Sequence, residues 1–152
     1  MGLQEKPFIL AVDDFTHELN LCKNLLKEHF TVFAASSAAL MFEALEAVIP
    51  DLILLDVLMP VMNGYEAAKL LKSNERYKDI PIIFATSLTD EMNEAEGFSI
   101  GAADYIHKPY RKEQMVKRIN AQLALQKIKR ENNELKLRLE KLAKSEVRND
   151  DE

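Results

Sequence analysis

Short apolar runs alternate with amphipathic stretches along the first 110 residues. The runs are "PFILAV" (7–12), "TVFAA" (31–35), "DLILLD" (51–56), "PIIFAT" (81–86) and "GAADYIH" (101–107). They lack the polar alternation of a half-solvated strand, so they predict strands covered on both faces. Between the first two, Phe15, Leu19, Cys22, Leu25 and Leu26 recur at helical spacing over 15–29. A second helix is predicted over 38–49, stopped by Pro50, and a third over "YEAAKLLKS" (65–73). Ser87 and Asp90 stand at capping-box spacing before a fourth helix over about 89–99. A long helix starts near Arg111. Five alternations of strand and helix with short connections predict an α/β fold, a parallel sheet with helices on both sides. In such sheets the ligand site lies at the carboxyl ends of the strands.

The strand ends carry the candidate chemistry. Strand one ends at Asp13 and Asp14, strand three at Asp56, strand four at Thr86 and Ser87, and strand five at Lys108 before Pro109. Asp56 is the lone charge in "LILLDVLMPVMNG" (52–64), a run too short for a bilayer span of roughly 20 residues. Three converging carboxylates repel one another unless a cation binds, and oxygen ligands of this kind suit Mg2+. The nearby lysine is a point charge suited to a phosphoryl oxygen, and a carboxylate beside a bound cation can act as nucleophile toward phosphorus. Neither GxxxxGK[ST] nor GxGxxG occurs, so the phosphoryl group is expected from an outside donor rather than a bound nucleotide.

Charge changes the picture at the C-terminal side. Residues 1–110 hold 8 Lys+Arg against 17 Asp+Glu, whereas 111–152 hold 12 against 8. The acidic part is a poor nucleic-acid surface. The single cysteine, Cys22, forms no internal disulfide and reads as a small buried hydrophobe in a reducing compartment. No secretory signal pattern opens the sequence, and the cytoplasm is the expected location. His17, His29 and His107 lack metal-ligand spacing.

At these residues the chain resembles the response-regulator receiver domains of two-component signalling. The matching pieces are Asp13-Asp14, Asp56 followed by "MPVMNG" (59–64), Thr86, and "DYIHKPY" (104–110). Thr86 lies 30 residues after Asp56, and Tyr105 and Lys108 lie 19 and 22 residues after Thr86. The resemblance covers about residues 5–126 and implies a flavodoxin-like (βα)5 sheet of strand order 2-1-3-4-5. It also implies roles. Asp56 is the phospho-acceptor, and Asp13, Asp14, Asp56 and the backbone carbonyl of Leu58 hold Mg2+. Thr86 is the switch hydroxyl, Tyr105 the aromatic that turns inward, and Lys108 the phosphate contact. Lys108–Pro109 is expected to be cis. The implied donor is a sensor histidine kinase or a phosphotransfer protein.

Some positions depart from the commonest pattern. Asn63 stands where Asp is usual, and asparagine tolerates turns. Leu58 and Leu88, each two residues past Asp56 or Thr86, cannot position an attacking water, so slow loss of the phosphoryl group is expected. Val57 and Leu58 also stand where an aspartyl-phosphate phosphatase would need a second acid/base carboxylate. An enzyme that turns over phosphomonoesters is the disfavoured alternative, and a dimerisation or scaffold module with secondary phosphorylation is another.

Residues 111–147 contain no Gly or Pro, more than a receiver's closing helix needs. A heptad register places Ala121, Ile128, Leu135 and Leu142 at d and Leu125, Asn132, Leu139 and Glu146 at a. Leucine at d and one Asn at a suit a parallel two-stranded coiled coil, with Glu131 at g facing Lys136 at e of a second copy. The expected organisation is a receiver over 5–126, a coiled-coil extension over 127–147, and a polar, disordered tail over 148–152. Receivers extended in this way usually feed an output domain, and the sequence contains none, so either truncation or action in trans is expected. Neither membrane insertion nor direct nucleic-acid binding is expected, because acids interrupt the helix's basic residues.

Overall fold

The structure, a computed structural model, describes residues 5–87 and 91–150, with 91–93 and 148–150 described by backbone alone. Its elements alternate as β1 (Phe8–Val12), α1 (Thr16–Leu26), β2 (Thr31–Ala35), α2 (Ala38–Ala47), β3 (Leu52–Asp56), α3 (Gly64–Lys72), β4 (Ile82–Thr86), α4 (Glu91–Ile100), β5 (Asp104–His107) and α5 (Lys112–Asp150). All strands pair in parallel in the order β2-β1-β3-β4-β5. The chain reverses its direction of winding between β1 and β3, which creates a switch point at their carboxyl ends.

The strand period of two sorts the apolar residues into two layers. Ile9, Ala11, Leu52, Leu54, Ile83 and Ala85 pack with Leu19, Cys22 and Leu26 of α1 and Met115 and Ile119 of α5. Leu10, Val12, Ile53, Leu55, Ile82 and Phe84 pack on the other side with Met41 and Leu45 of α2 and Ala67 and Leu71 of α3. Burial pushes the Cys22 thiol up to about 12, with the Asp13 charge adding to the effect, so it stays a neutral packing group.

One strand departs from expectation. β2 has an apolar sequence yet is mostly exposed, because it lies at the sheet edge. Phe33 there stacks on Phe8 of β1, with ring centroids 5.0 Å apart. The capping box expected at Ser87 and Asp90 falls partly on residues 88–90, outside the described residues.

Helix α3 starts with a cap that the sequence reading treated only as a turn. Asn63 accepts a hydrogen bond from the Glu66 backbone N–H at 2.9 Å, and the Glu66 carboxylate accepts one from the Asn63 N–H at 3.4 Å. The preceding loop contains Val61 at φ 71°, with its side chain fully exposed. A β-branched residue gains nothing there and carries left-handed strain. Val61→Asn is expected to raise stability by about 1 kcal/mol, read as a higher urea midpoint at unchanged slope. An unchanged or lower midpoint would contradict this.

Helix α5 continues without a break past 126 to Asp150, and residues 151–152 of the expected tail over 148–152 lie outside the described residues. No Gly or Pro interrupts it, so nothing local terminates the helix at 148. Its contacts with the body end near Gln126, whose side-chain amide donates to the Asp79 carbonyl at 2.8 Å. The remainder projects about 36 Å at 1.5 Å per residue. Among the described residues no helix is long and apolar enough to cross a membrane.

Candidate functional site

The carboxyl ends of the four inner and distal strands bring the candidate residues to one edge of the sheet. Asp13 follows β1, and its backbone N–H donates to Ala35 at 3.1 Å, which fastens it beside β2. Asp56 closes β3 and is paired in register with Ala85 of β4. Thr86 closes β4, paired with His107 of β5. Lys108 follows, its backbone N–H bonded to the Thr86 carbonyl at 2.9 Å, and the Lys108–Pro109 bond is cis as expected. Asp13, Asp56 and Thr86 are buried, 3%, 4% and 1% exposed, in a chain whose other described buried residues are apolar or glycine.

Asp13, Asp14 and Asp56 each offer an oxygen within 4.8 Å of the others. The Lys108 ammonium donates to Asp13 Oδ2 at 2.7 Å and lies 3.6 Å from Asp56 Oδ1. Burial opposes the lysine's charge, but the Asp13 hydrogen bond and the Asp56 and Asp13 charges outweigh it and raise its pKa. Burial, followed by the Asp13 charge, pushes the Asp56 carboxyl up to about 7. Lys108 alone therefore does not balance three acids.

The residues fit a divalent cation. Asp14 Oδ1 is buried without a hydrogen-bond partner, an arrangement that leaves an acceptor to be satisfied from the cluster's interior. Together the carboxylates form a hard oxygen donor set of the kind Mg2+ takes. The pKa of Asp56 fixes a pH dependence. Its folded value lies above the ordinary 3.8, so stability from this group is present at acid pH and is lost as pH rises toward about 7. Mg2+ is expected to raise the melting temperature more at pH 8 than at pH 5, where it competes with a proton. An equal rise at both pH values in a calorimetric titration would contradict this.

The loop after β3 is held close to the acceptor position. Gly64 donates to the Val57 carbonyl at 2.8 Å, and a Cβ on Gly64 would come within 2.2 Å of the Asp56 carbonyl oxygen. Only glycine allows that approach. The Leu58 side chain is exposed. Leu88, the other residue tied to phosphoryl lifetime, lies outside the described residues.

Tyr105 is buried in the aromatic group of the α3/α4 layer. Its ring lies 5.4 Å from Phe84 and 5.2 Å from Phe98. The hydroxyl shares a 3.1 Å hydrogen bond with the Tyr65 hydroxyl. Burial, then this bond, raises the Tyr105 pKa and keeps the phenol neutral. Arg118 of α5 donates to the Tyr105 carbonyl and, at 3.2 Å, to Asp104. His107 Nε2 lies 2.6 Å from Glu94 Oε1, which ties β5 to α4. Sequence reasoning missed Tyr65 and Glu94. Nothing local marks them, since both are ordinary helix residues until the sheet brings β5 between them.

Residues 9–120 match the family model described as "Response regulator receiver domain". The chain is 31% identical over 128 residues to hybrid signal transduction histidine kinase D of Dictyostelium discoideum, covering 84% of this chain and 8% of that protein. It is 36% identical over 121 residues to the transcriptional regulatory protein YvrH of Bacillus subtilis, covering 78% of this chain and 50% of the relative. It thus spans half or less of the length of these curated relatives. Among solved structures, the chemotaxis protein CheY4 of Vibrio cholerae superposes with TM-score 0.72 at 28% identity, covering 76% of this chain and 98% of CheY4. A histidine-kinase receiver domain from Syntrophus aciditrophicus does so with TM-score 0.71 at 29% identity, covering 78% and 90% of the two chains. With its acidic cluster at the switch point of a five-stranded parallel sheet, this chain belongs to the response regulator receiver domain family, the phospho-accepting switches of two-component signalling.

Proposed function

We propose that this receiver takes a phosphoryl group from a sensor histidine kinase or phosphotransfer protein onto Asp56, and that the change is read through a parallel homodimer of α5. The observation that carries the reading is the buried set of Asp13, Asp14 and Asp56 with Lys108 between two of them. One Asp56 carboxylate oxygen attacks phosphorus. The new O–P bond forms as the donor's N–P bond breaks, and the imidazole leaves with the electron pair. Mg2+ bound to Asp13, Asp14, Asp56 and the Leu58 carbonyl would neutralise charge on the carboxylates and phosphoryl oxygens.

The remaining steps belong to the chain's own side chains. Lys108, already within 3.6 Å of Asp56, holds a phosphoryl oxygen by charge-assisted hydrogen bonding. Thr86 donates its hydroxyl to another oxygen, and Tyr105 occupies the space behind it. One covalent group then biases two packings of the α4–β5–α5 face. Val57 and Leu58 provide no second acid/base group, so the chain is a switch rather than a phosphatase, and it works in the cytoplasm.

The test is intact-mass spectrometry with acetyl phosphate and Mg2+. One phosphoryl adduct is expected, absent when Mg2+ is chelated. Because Leu58 cannot orient a water, the adduct is expected to decay over tens of minutes or longer. No adduct would overturn the reading, and a half-life of seconds would overturn the role given to Leu58.

A further inference from the structure

Gly97 lies buried within α4, where a side chain would normally pack. A Cβ placed there would lie 1.7 Å from the Tyr105 hydroxyl oxygen and 2.6 Å from its ring carbon. The missing side chain is therefore a notch filled by the tip of Tyr105. Across the ring tip, the Tyr65 hydroxyl of α3 completes the dock at 3.1 Å. The Tyr65 ring is itself set edge-on against Phe84, with centroids 5.0 Å apart at 86°. Phe84 is fully buried, so Tyr65 has little freedom to withdraw. The Gly97 backbone also hydrogen-bonds Tyr105.

We propose that Tyr65 and Gly97 are positioning residues that dock Tyr105 inward before any phosphoryl group arrives. This rests on Tyr105 being the aromatic element of the switch. A buried phenol with its hydroxyl satisfied is stable inside, because turning outward would break its bond to Tyr65 and empty the notch over Gly97. The inward ring is thus already populated in the resting chain. Phosphorylation then has less to shift at Tyr105 and acts mainly through Thr86 and the start of α4.

The glycine makes the idea testable, because the severe clash is with the far end of the Tyr105 side chain, while the Phe84 ring, 3.1 Å away, need give by only a few tenths of an ångström. In Gly97→Ala the methyl group occupies the notch and Tyr105 turns outward. Alanine is the better helix former, so folding is expected to survive. The measurement is fluorine NMR on the full chain labelled with 3-fluorotyrosine, with the Tyr105 line assigned by Tyr105→Phe. In the resting wild type the Tyr105 line is expected to be shielded from solvent. It becomes exposed in Gly97→Ala and averages between the two positions in Tyr65→Phe. A solvent-exposed Tyr105 line in the resting wild type, or a shielded one in Gly97→Ala, would overturn the proposal. Should Gly97→Ala fail to fold, an unchanged line in Tyr65→Phe would overturn it instead.

Binding supplies a second readout that a merely structural role would not move. With Mg2+ present, beryllofluoride affinity is expected to fall about tenfold in Gly97→Ala, because the analogue must now draw the ring back against the methyl group. Equal affinity with a displaced ring would overturn the link between dock and switch. If neither wild type nor variant binds beryllofluoride, the phospho-acceptor reading fails, and the fluorine spectra still decide whether the dock exists.

Discussion

Asp56→Asn is expected to abolish phosphoryl uptake and, at the same time, to stabilise the Mg2+-free protein. The two effects share one cause. The carboxylate is the nucleophile, and an amide forms no acyl phosphate, so no mass adduct appears with acetyl phosphate and Mg2+. The same carboxylate is 4% exposed and clustered with Asp13 and Asp14 within 4.8 Å. Burial and the Asp13 charge push it up to about 7, so above that pH the native state carries an ionised acid that it disfavours. Asparagine removes that charge and keeps the shape. Lys108 retains Asp13 at 2.7 Å, so no cation is orphaned.

The gain is expected to be about 1–2 kcal/mol at pH 8, reduced from the full shift because solvent reaches the mouth of the site. That corresponds to roughly 3–6 °C in melting temperature for a chain of this size. At pH 5 the folded Asp56 is protonated but the unfolded one is still ionised, so the gain shrinks, and it disappears only below about 3.8. The variant also loses most of its thermal response to Mg2+. A melting temperature at pH 8 equal to or below wild type, or an adduct that persists in the variant, would contradict this account.

If α5 pairs as proposed, introducing charge into its exposed seam is expected to convert the dimer to a monomer. Ile119 faces the sheet, and Ile128, nine residues on, faces about 180° away. Leu125, Ile128, Leu135, Leu139 and Leu142 are 45–65% exposed in the single chain. The heptad stripe therefore lies on the side away from the receiver body, where a second copy can approach without meeting its own domain. In the parallel dimer proposed for this helix, Asn132 would set register and Glu131 would face Lys136 of the second copy with opposite charge.

In the doubly substituted Leu135→Glu, Leu139→Glu chain, the dimer loses four buried leucines. At about 1.5–3 kcal/mol each, the loss is at least about 6 kcal/mol, more than about 10^4-fold in dissociation constant. Sedimentation velocity is expected to show a dimer for wild type and a monomer for the variant. Helical circular dichroism falls as well, because an unpartnered helix of this length frays in water. A monomeric wild type, or a variant that stays dimeric, would contradict the seam.

The elements and the acidic cluster were legible in the sequence because they follow from short-range rules. Unbroken apolar runs make strands of a covered sheet, and strand ends in such a sheet converge, so Asp13, Asp14, Asp56 and Lys108 could be grouped before any coordinates. The cap at Asn63 was legible too, in the Asn-x-x-Glu spacing, although it was read only as a turn. The exposure of β2 was not legible in its apolar periodicity, and only the strand order implied by the family resemblance placed it at an edge. Tyr65, Glu94 and Gly97 were hidden for a related reason. Each sits on a helix that meets β5 only after the chain crosses the sheet, and no local pattern records what lies across such a contact. Sequence by itself determined the fold class and the identity of the charged cluster, since both depend on periodicity and on residues at strand termini. The tertiary structure alone decided the dock around Tyr105 and the direction of the α5 seam, since both depend on which faces of distant elements meet.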